Sequence, residues 1–108
     1  MISFEDFMKL EIKIGTVKEA EGVDGTDKLM KLIMDMGPGD ESHQLVAGIA
    51  EFYSPEDLMG KQIPVLVNLE PKDFRGLESQ GMILAIDVDG DCVLLHPNKE
   101  VSPGSKIR

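Results

Sequence analysis

Tryptophan is missing from this chain, tyrosine occurs once and phenylalanine four times. Aromatic rings therefore cannot fill a core, and aliphatic residues with seven methionines must do so. The single cysteine, Cys92, excludes an intrachain disulfide. Set in Cys92-Val93-Leu94-Leu95 it reads as a small apolar strand residue rather than a reactive thiol, and a reducing cytoplasm is the expected setting. No apolar run approaches the roughly 20 residues a membrane helix needs. The opening Met1-Ile2-Ser3-Phe4-Glu5-Asp6 has neither a basic nor an apolar leader, so no secretion signal and no membrane partner are expected. Basic residues are also scarce, eleven Lys and Arg against twenty Asp and Glu, for a net charge of −9. Such a surface repels polyanions at long range, so binding of nucleic acid requires a local basic patch.

What is present suits a compact fold. The 108 residues, 42% hydrophobic and 29% charged, predict one domain over residues 1–108, able to bury a core without disulfide or metal. No Ser/His/Asp or Cys/His set and no phosphate-cradling glycine loop is visible, so catalysis is not expected. His43 and His96 are isolated, read as surface or strand-end residues, and imply neither metal nor cofactor.

Ser3 to Leu10 predicts a short amphipathic helix, with Ser3 as N-cap, Ser3-x-x-Asp6 as a weak capping box and Phe4, Phe7 and Met8 on one side. Glu11 to Ala20 reads as a strand whose alternation slips by one at Gly15, the mark of a β-bulge. Leu29 to Met36 is a second strand with Met30, Leu32, Met34 and Met36 facing a core, and Gln44 to Ile49 is a third. Ser54-Pro55-Glu56-Asp57-Leu58 starts one helical turn. Gln62 to Leu69 alternates most clearly, and Pro64 predicts an edge or bulged position for it. Met82 to Val88 and Cys92 to His96 pair around an Asp89-Gly90 turn, and a polar tail follows. Short strands, one strongly bent, with a helical turn between the third and fourth, suggest an all-β, five-stranded Greek-key barrel of the OB kind with short flanking helices, although periodicity alone does not separate OB from SH3-like.

Two segments carry a resemblance. Leu45-Val46-Ala47-Gly48-Ile49-Ala50 with Tyr53-Ser54-Pro55-Glu56 to Gly60-Lys61, and above all residues 67–85, resemble the tRNA-binding domain family. The second segment matches through Asn68-Leu69, Pro71, Arg75-Gly76, Ser79, Gly81-Met82 and Leu84-Ala85. Weaker similarity runs through Leu10 to Val17, Asp27 to Leu32 and Val101 to Arg108. The resemblance implies an OB barrel that binds tRNA without catalysis, and, for freestanding members, a homodimer. It also implies kinship with modules attached to methionyl-tRNA synthetase as a domain or accessory subunit, and with the export chaperone CsaA, whose peptide-binding dimer is the alternative reading. Where the family has His-Pro, this chain has Gly22-Val23-Asp24-Gly25-Thr26; His43 replaces Arg, Ala47 replaces Ser and Met30 replaces Tyr.

The signature has physical sense of its own. Lys72 and Arg75 form a short cationic arm suited to phosphate, and the Asn68 amide can both donate and accept. Ser79 offers a hydroxyl, Gly81 permits close backbone approach, and Met82 can present a soft platform to a base. Lys13, Lys28 and Lys31 would add charge if the first two strands form the neighbouring face. Plainer readings stand beside these: Gly76 and Gly81 as turn and bulge residues, Met82 as core, and Lys72 and Arg75 as surface ion pairs with Glu70, Asp73 and Glu78.

Overall fold

The computed structural model describes all 108 residues. In chain order these form α1 (Phe4–Met8), β1 (Ile12–Gly22), β2 (Met30–Asp35), β3 (His43–Ala47), α2 (Pro55–Leu58), β4 (Gln62–Leu66), β5 (Lys72–Phe74), β6 (Leu77–Ser79), β7 (Met82–Ile83), β8 (Ala85–Val88) and β9 (Asp91–Leu94). The main sheet has the order β3-β2-β1-β4-β7, with antiparallel pairs throughout. The outer edge of β3 is covered as well: Val46 N–H donates to Ser79 Oγ at 3.0 Å and Gln80 N–H to the Gln44 carbonyl at 2.9 Å. The sheet thus nearly closes into the expected five-stranded all-β barrel, which leaves little unpaired edge.

The barrel closes because β1 serves both halves. Residues 12–16 pair with β4 and residues 16–22 with β2. The slip in alternation stands where expected, since Ile14 and Gly15 are both buried in succession. The ladder irregularity lies further on, between Val17 and Glu19. Gly15 has a different task from the bulge assigned to it: a Cβ there would collide with the Met36 sulfur. Met30, Leu32, Met34 and Met36 all point inward, against Val17, Leu45, Leu58, Ile63 and Val65. Full burial of such side chains is worth roughly 1.5–3 kcal/mol each. Exposed pairs such as Lys9–Asp6 (3.2 Å) are screened by solvent and add little beside this, so packing decides stability here.

Pro64 does not mark an edge. It is buried in an interior strand, opposite Ile14 of β1. Ile14 turns its own backbone groups to the C-terminal segment, donating to the Ser105 carbonyl at 2.8 Å and accepting from Gly104 N–H at 2.7 Å. The missing proline N–H therefore falls on the β7 side. There Leu84 N–H donates to the Pro64 carbonyl at 2.9 Å and nothing can be returned, so the ladder stops. The expected strand 82–88 divides at Leu84 for this reason. The tail is likewise more than a polar extension, because Ile107 N–H also bonds to the Ile12 carbonyl at 2.8 Å.

The turn between β8 and β9 is as expected, with Asp89 (φ 52°) and Gly90 (φ 85°) both left-handed. Tyr53 fastens β9 by donating its hydroxyl to the Cys92 carbonyl (3.0 Å) and accepting from Leu94 N–H (3.3 Å). Cys92 is half-buried; burial first, then Asp91 and Asp87, push its thiol above the ordinary range. The α1 capping box forms fully, with Asp6 N–H to Ser3 Oγ at 3.1 Å and Ser3 N–H to Asp6 Oδ2 at 3.4 Å, yet no residue of α1 is buried. Of the two histidines His96, exposed beyond β9, lies at the surface as expected, and His43 does not. His43 is nearly buried, with Nδ1 2.9 Å from Asp40 Oδ2 and Nε2 against the Gln80 carbonyl. His96 is held by Nδ1 to the Gln62 carbonyl at 2.7 Å. No helix is long and apolar enough to cross a membrane.

Candidate functional site

Beyond β4 the chain builds a small hairpin, β5–β6, where the sequence predicts only a loop. Its turn consists of Arg75 (φ 55°) and Gly76 (φ 85°). Two successive left-handed residues match the twist of a two-residue hairpin, and only Gly adopts this conformation freely. Asp73 supports the turn by accepting Gly76 N–H at 2.8 Å. The hairpin escapes sequence reading because its strands have three residues each and Arg-Gly lacks the usual Asn or Asp.

The ladder pairs Lys72 with Ser79, Asp73 with Glu78 and Phe74 with Leu77. Alternation therefore puts Lys72, Phe74, Leu77 and Ser79 on one face and the two acids on the other. Ser79 is buried against β3, so the acid-bearing face looks away from the barrel. Lys72 Nζ lies over the Phe74 ring, 5.0 Å from its centroid. Such an exposed cation–π contact is worth about 0.5–1 kcal/mol and orients the ammonium. Arg75 reaches towards the loop between β1 and β2: its Nη1 would lie 3.4 Å from a Cβ at Gly25. The two loops that flank the binding face of an OB barrel are thereby brought together.

Neither Lys72 nor Arg75 is in an ion pair. Charged pairs within 4.0 Å are Lys9–Asp6, Lys31–Glu21 and His43–Asp40. Glu70, Asp73 and Glu78 form no ion pair within 4.0 Å with either hairpin cation. Lys28, exposed on the β1–β2 loop, is also unpaired. Lys31 is bound to Glu21 at 2.9 Å, and Lys13 stands at the opposite end of β1, bridged to Lys106. The structure thus brings Arg75 against the loop that carries Lys28, leaves Lys28 and Lys72 without an ion pair, engages Lys31 with Glu21 and puts Lys13 at the other end of β1.

The remaining predicted positions build the site from within. Asn68 uses both ends of its amide, donating to the Lys9 carbonyl (2.7 Å) and accepting from Glu11 N–H (2.9 Å). The Ser79 hydroxyl accepts from Val46 N–H and donates to the Gly81 carbonyl at 2.9 Å; it does not face solvent. Gly81 (φ 111°) is where a backbone approaches closely, but that backbone belongs to Leu66 of β4. Met82 is half-exposed rather than core. It borders a shallow groove with Val46, Ile49, Leu84, Ala85 and Cys92. Gln44 and Gln80, unremarked in the sequence, lock the hairpin to β3. Gln44 Nε2 donates to the Glu78 carbonyl at 2.9 Å, and Gln80 Oε1 accepts from Gln44 N–H at 3.2 Å.

Known proteins agree with this architecture. The family described as "Putative tRNA binding domain" matches residues 12–106. Over 106 residues the chain is 57% identical to a methionine–tRNA ligase of Archaeoglobus fulgidus, covering 98% of this chain and 16% of the ligase. The chain therefore spans about a sixth of the length of that curated relative. A MetRS-related protein from Pyrococcus horikoshii superposes with a TM-score of 0.92 at 39% identity, covering 100% of this chain and 98% of the other. The chaperone CsaA from Bacillus anthracis superposes at 0.88 and 40% identity, covering 100% and 99%. With a barrel of this topology and a family match over nearly its whole length, the chain belongs to the tRNA-binding domain family.

Proposed function

We propose that this chain is a non-catalytic tRNA-binding module that reads RNA shape and backbone with little sequence discrimination. The observation that carries this reading is the pair of cations at the hairpin, Lys72 and Arg75, left without acidic partners in a chain of net charge −9. Lys72, Arg75 and Lys28 contact phosphates, and Met82 lies beneath a base or ribose. Asn68, Ser79 and Gly81 hold the barrel edge that presents them. Beyond about 10 Å the remaining negative charge is screened at 0.1 M salt, so the local cations dominate on contact. Likeness to methionine–tRNA ligase supports an accessory role beside such a synthetase, in the cytoplasm. A gel shift with mixed tRNA at low salt tests the reading: wild type retards tRNA, and equal retardation by a Lys72→Ala, Arg75→Ala variant removes the hairpin from the account.

A second reading is a peptide-binding homodimer. It is favoured by the apolar groove at Met82 and by an α1 helix that buries none of its residues, with Phe4 75% exposed. Suppression of aggregation of an unfolded client measures this activity, and no effect at stoichiometric protein removes it.

A further inference from the structure

The His43 side chain lies between two groups that only accept hydrogen bonds. Nδ1 is 2.9 Å from the Asp40 carboxylate and Nε2 meets the backbone carbonyl of Gln80. A neutral imidazole has one N–H and one lone pair, so it can satisfy only one of these partners. The other nitrogen would then turn its lone pair on an oxygen lone pair inside a nearly closed site. A doubly protonated ring satisfies both. The acid in contact with the ring is Asp40 of the β2–β3 turn; the other charged residues on the elements packed against His43 are Asp35 at the end of β2, Glu41 of the same turn and Glu78 of β6. Asp35 and Glu41 cap Gly37 and Gly39 N–H groups, and neither they nor Glu78 have a Lys or Arg partner.

We infer that His43 is a positioning residue for the cationic hairpin and acts as an imidazolium that fastens residues 77–80 to β3. Its Nε2–H holds the Gln80 carbonyl. The same short segment carries Gln80 N–H to the Gln44 carbonyl (2.9 Å) and Ser79 Oγ to Val46 N–H (3.0 Å). Loss of one proton removes one of the two ring bonds and loosens the base of the hairpin, while Lys72 and Arg75 keep their charge. The hairpin is therefore better ordered with the doubly protonated ring than with the neutral one. That this affects RNA rests on the function proposed above; the fastening itself does not.

The test uses the intact protein. Nitrogen-15 NMR of the His43 ring, with amide exchange of Gln80 and Val46, is followed from about pH 5.5 to about pH 8 in wild type, His43→Gln and His43→Arg. After correction for intrinsic rates, protection of both amides falls about tenfold in wild type. It stays level in His43→Arg, which keeps a cation, and in His43→Gln, which does not titrate. Two protonated ring nitrogens at the acidic end complete the expected result. A ring with one bare nitrogen throughout, or the same pH profile in wild type and His43→Gln, overturns the inference. Titration of tRNA in parallel separates the two claims: if no protein binds tRNA while the wild-type profile holds, the RNA reading fails and the fastening stands.

Discussion

Asp73 and Glu78 stand directly opposite each other across the β5–β6 ladder, two like charges on the outward face of the hairpin. Like charges in this relation are unfavourable by a few tenths to about 1 kcal/mol. Alternation nevertheless keeps both acids off the face that carries Lys72. Glu78→Lys converts the repulsion into a cross-strand pair and adds a cation at the hairpin. We expect tighter tRNA binding and a steeper salt dependence in fluorescence titrations; unchanged affinity would show that this hairpin does not meet RNA.

Asn68 joins the end of β4 to the segment between α1 and β1 by two hydrogen bonds. Each such bond contributes about 0.5–1.5 kcal/mol net. Asn68→Ala should lower stability by about 1–3 kcal/mol in urea unfolding. Asn68→Asp keeps the acceptor for Glu11 N–H but faces the Lys9 carbonyl with a second oxygen, and should fall at least as far as Ala. A substitution without effect on the unfolding midpoint would place the amide outside the fold's support.

Gly81 allows no side chain, because a Cβ would run into the Leu66 carbonyl and lie 3.3 Å from Val67 Cα. With left-handed strain added to overpacking, Gly81→Ala should cost about 2–4 kcal/mol. Thermal unfolding measures it, and an unshifted transition contradicts the packing described.

Acid should weaken the two helix starts. The Asp6 carboxyl is held below the ordinary range chiefly by the Lys9 ammonium, then by Ser3 N–H, and the Asp57 carboxyl chiefly by Ser54 N–H. Both groups bind protons less readily folded than unfolded. Their stabilisation is therefore present above the ordinary carboxylate pKa and lost as pH falls through the folded value. An Asp6→Asn, Asp57→Asn variant should lose less Tm than wild type between about pH 6 and about pH 3; parallel losses would deny the two carboxylates this part.

The exposed α1 face predicts self-association. Sedimentation should find a dimer of the 11.9 kDa chain at micromolar concentration, and Phe4→Asp should shift it to monomer. A wild-type monomer throughout that range would refute it.

Much of the barrel is legible in the sequence. The Met30, Leu32, Met34 and Met36 stripe and the alternation of Ile63 and Val65 give the strands, because burial imposes a period of two. Pro64 misleads, since a local rule about proline cannot see that the C-terminal segment takes the Ile14 backbone groups. At the site, Lys72 and Arg75 are readable as cations, but their freedom from Asp73 and Glu78 depends on a pleat within a hairpin of three-residue strands. Asn68 and Ser79 read as groups offered to RNA, and His43 as a surface or strand-end residue. Their partners Lys9, Val46 and Gln80 become neighbours only after the barrel closes.

The salt dependence of tRNA affinity is the sharpest probe of contact between the β5–β6 hairpin and RNA. Each neutralised phosphate contributes about 0.7–0.9 to the slope of log affinity against log salt concentration. The Lys72→Ala, Arg75→Ala variant should bind more weakly and with a slope shallower by about 1.4–1.8. Equal slopes for the two proteins, with equal affinity at low salt, would contradict contact between this hairpin and RNA.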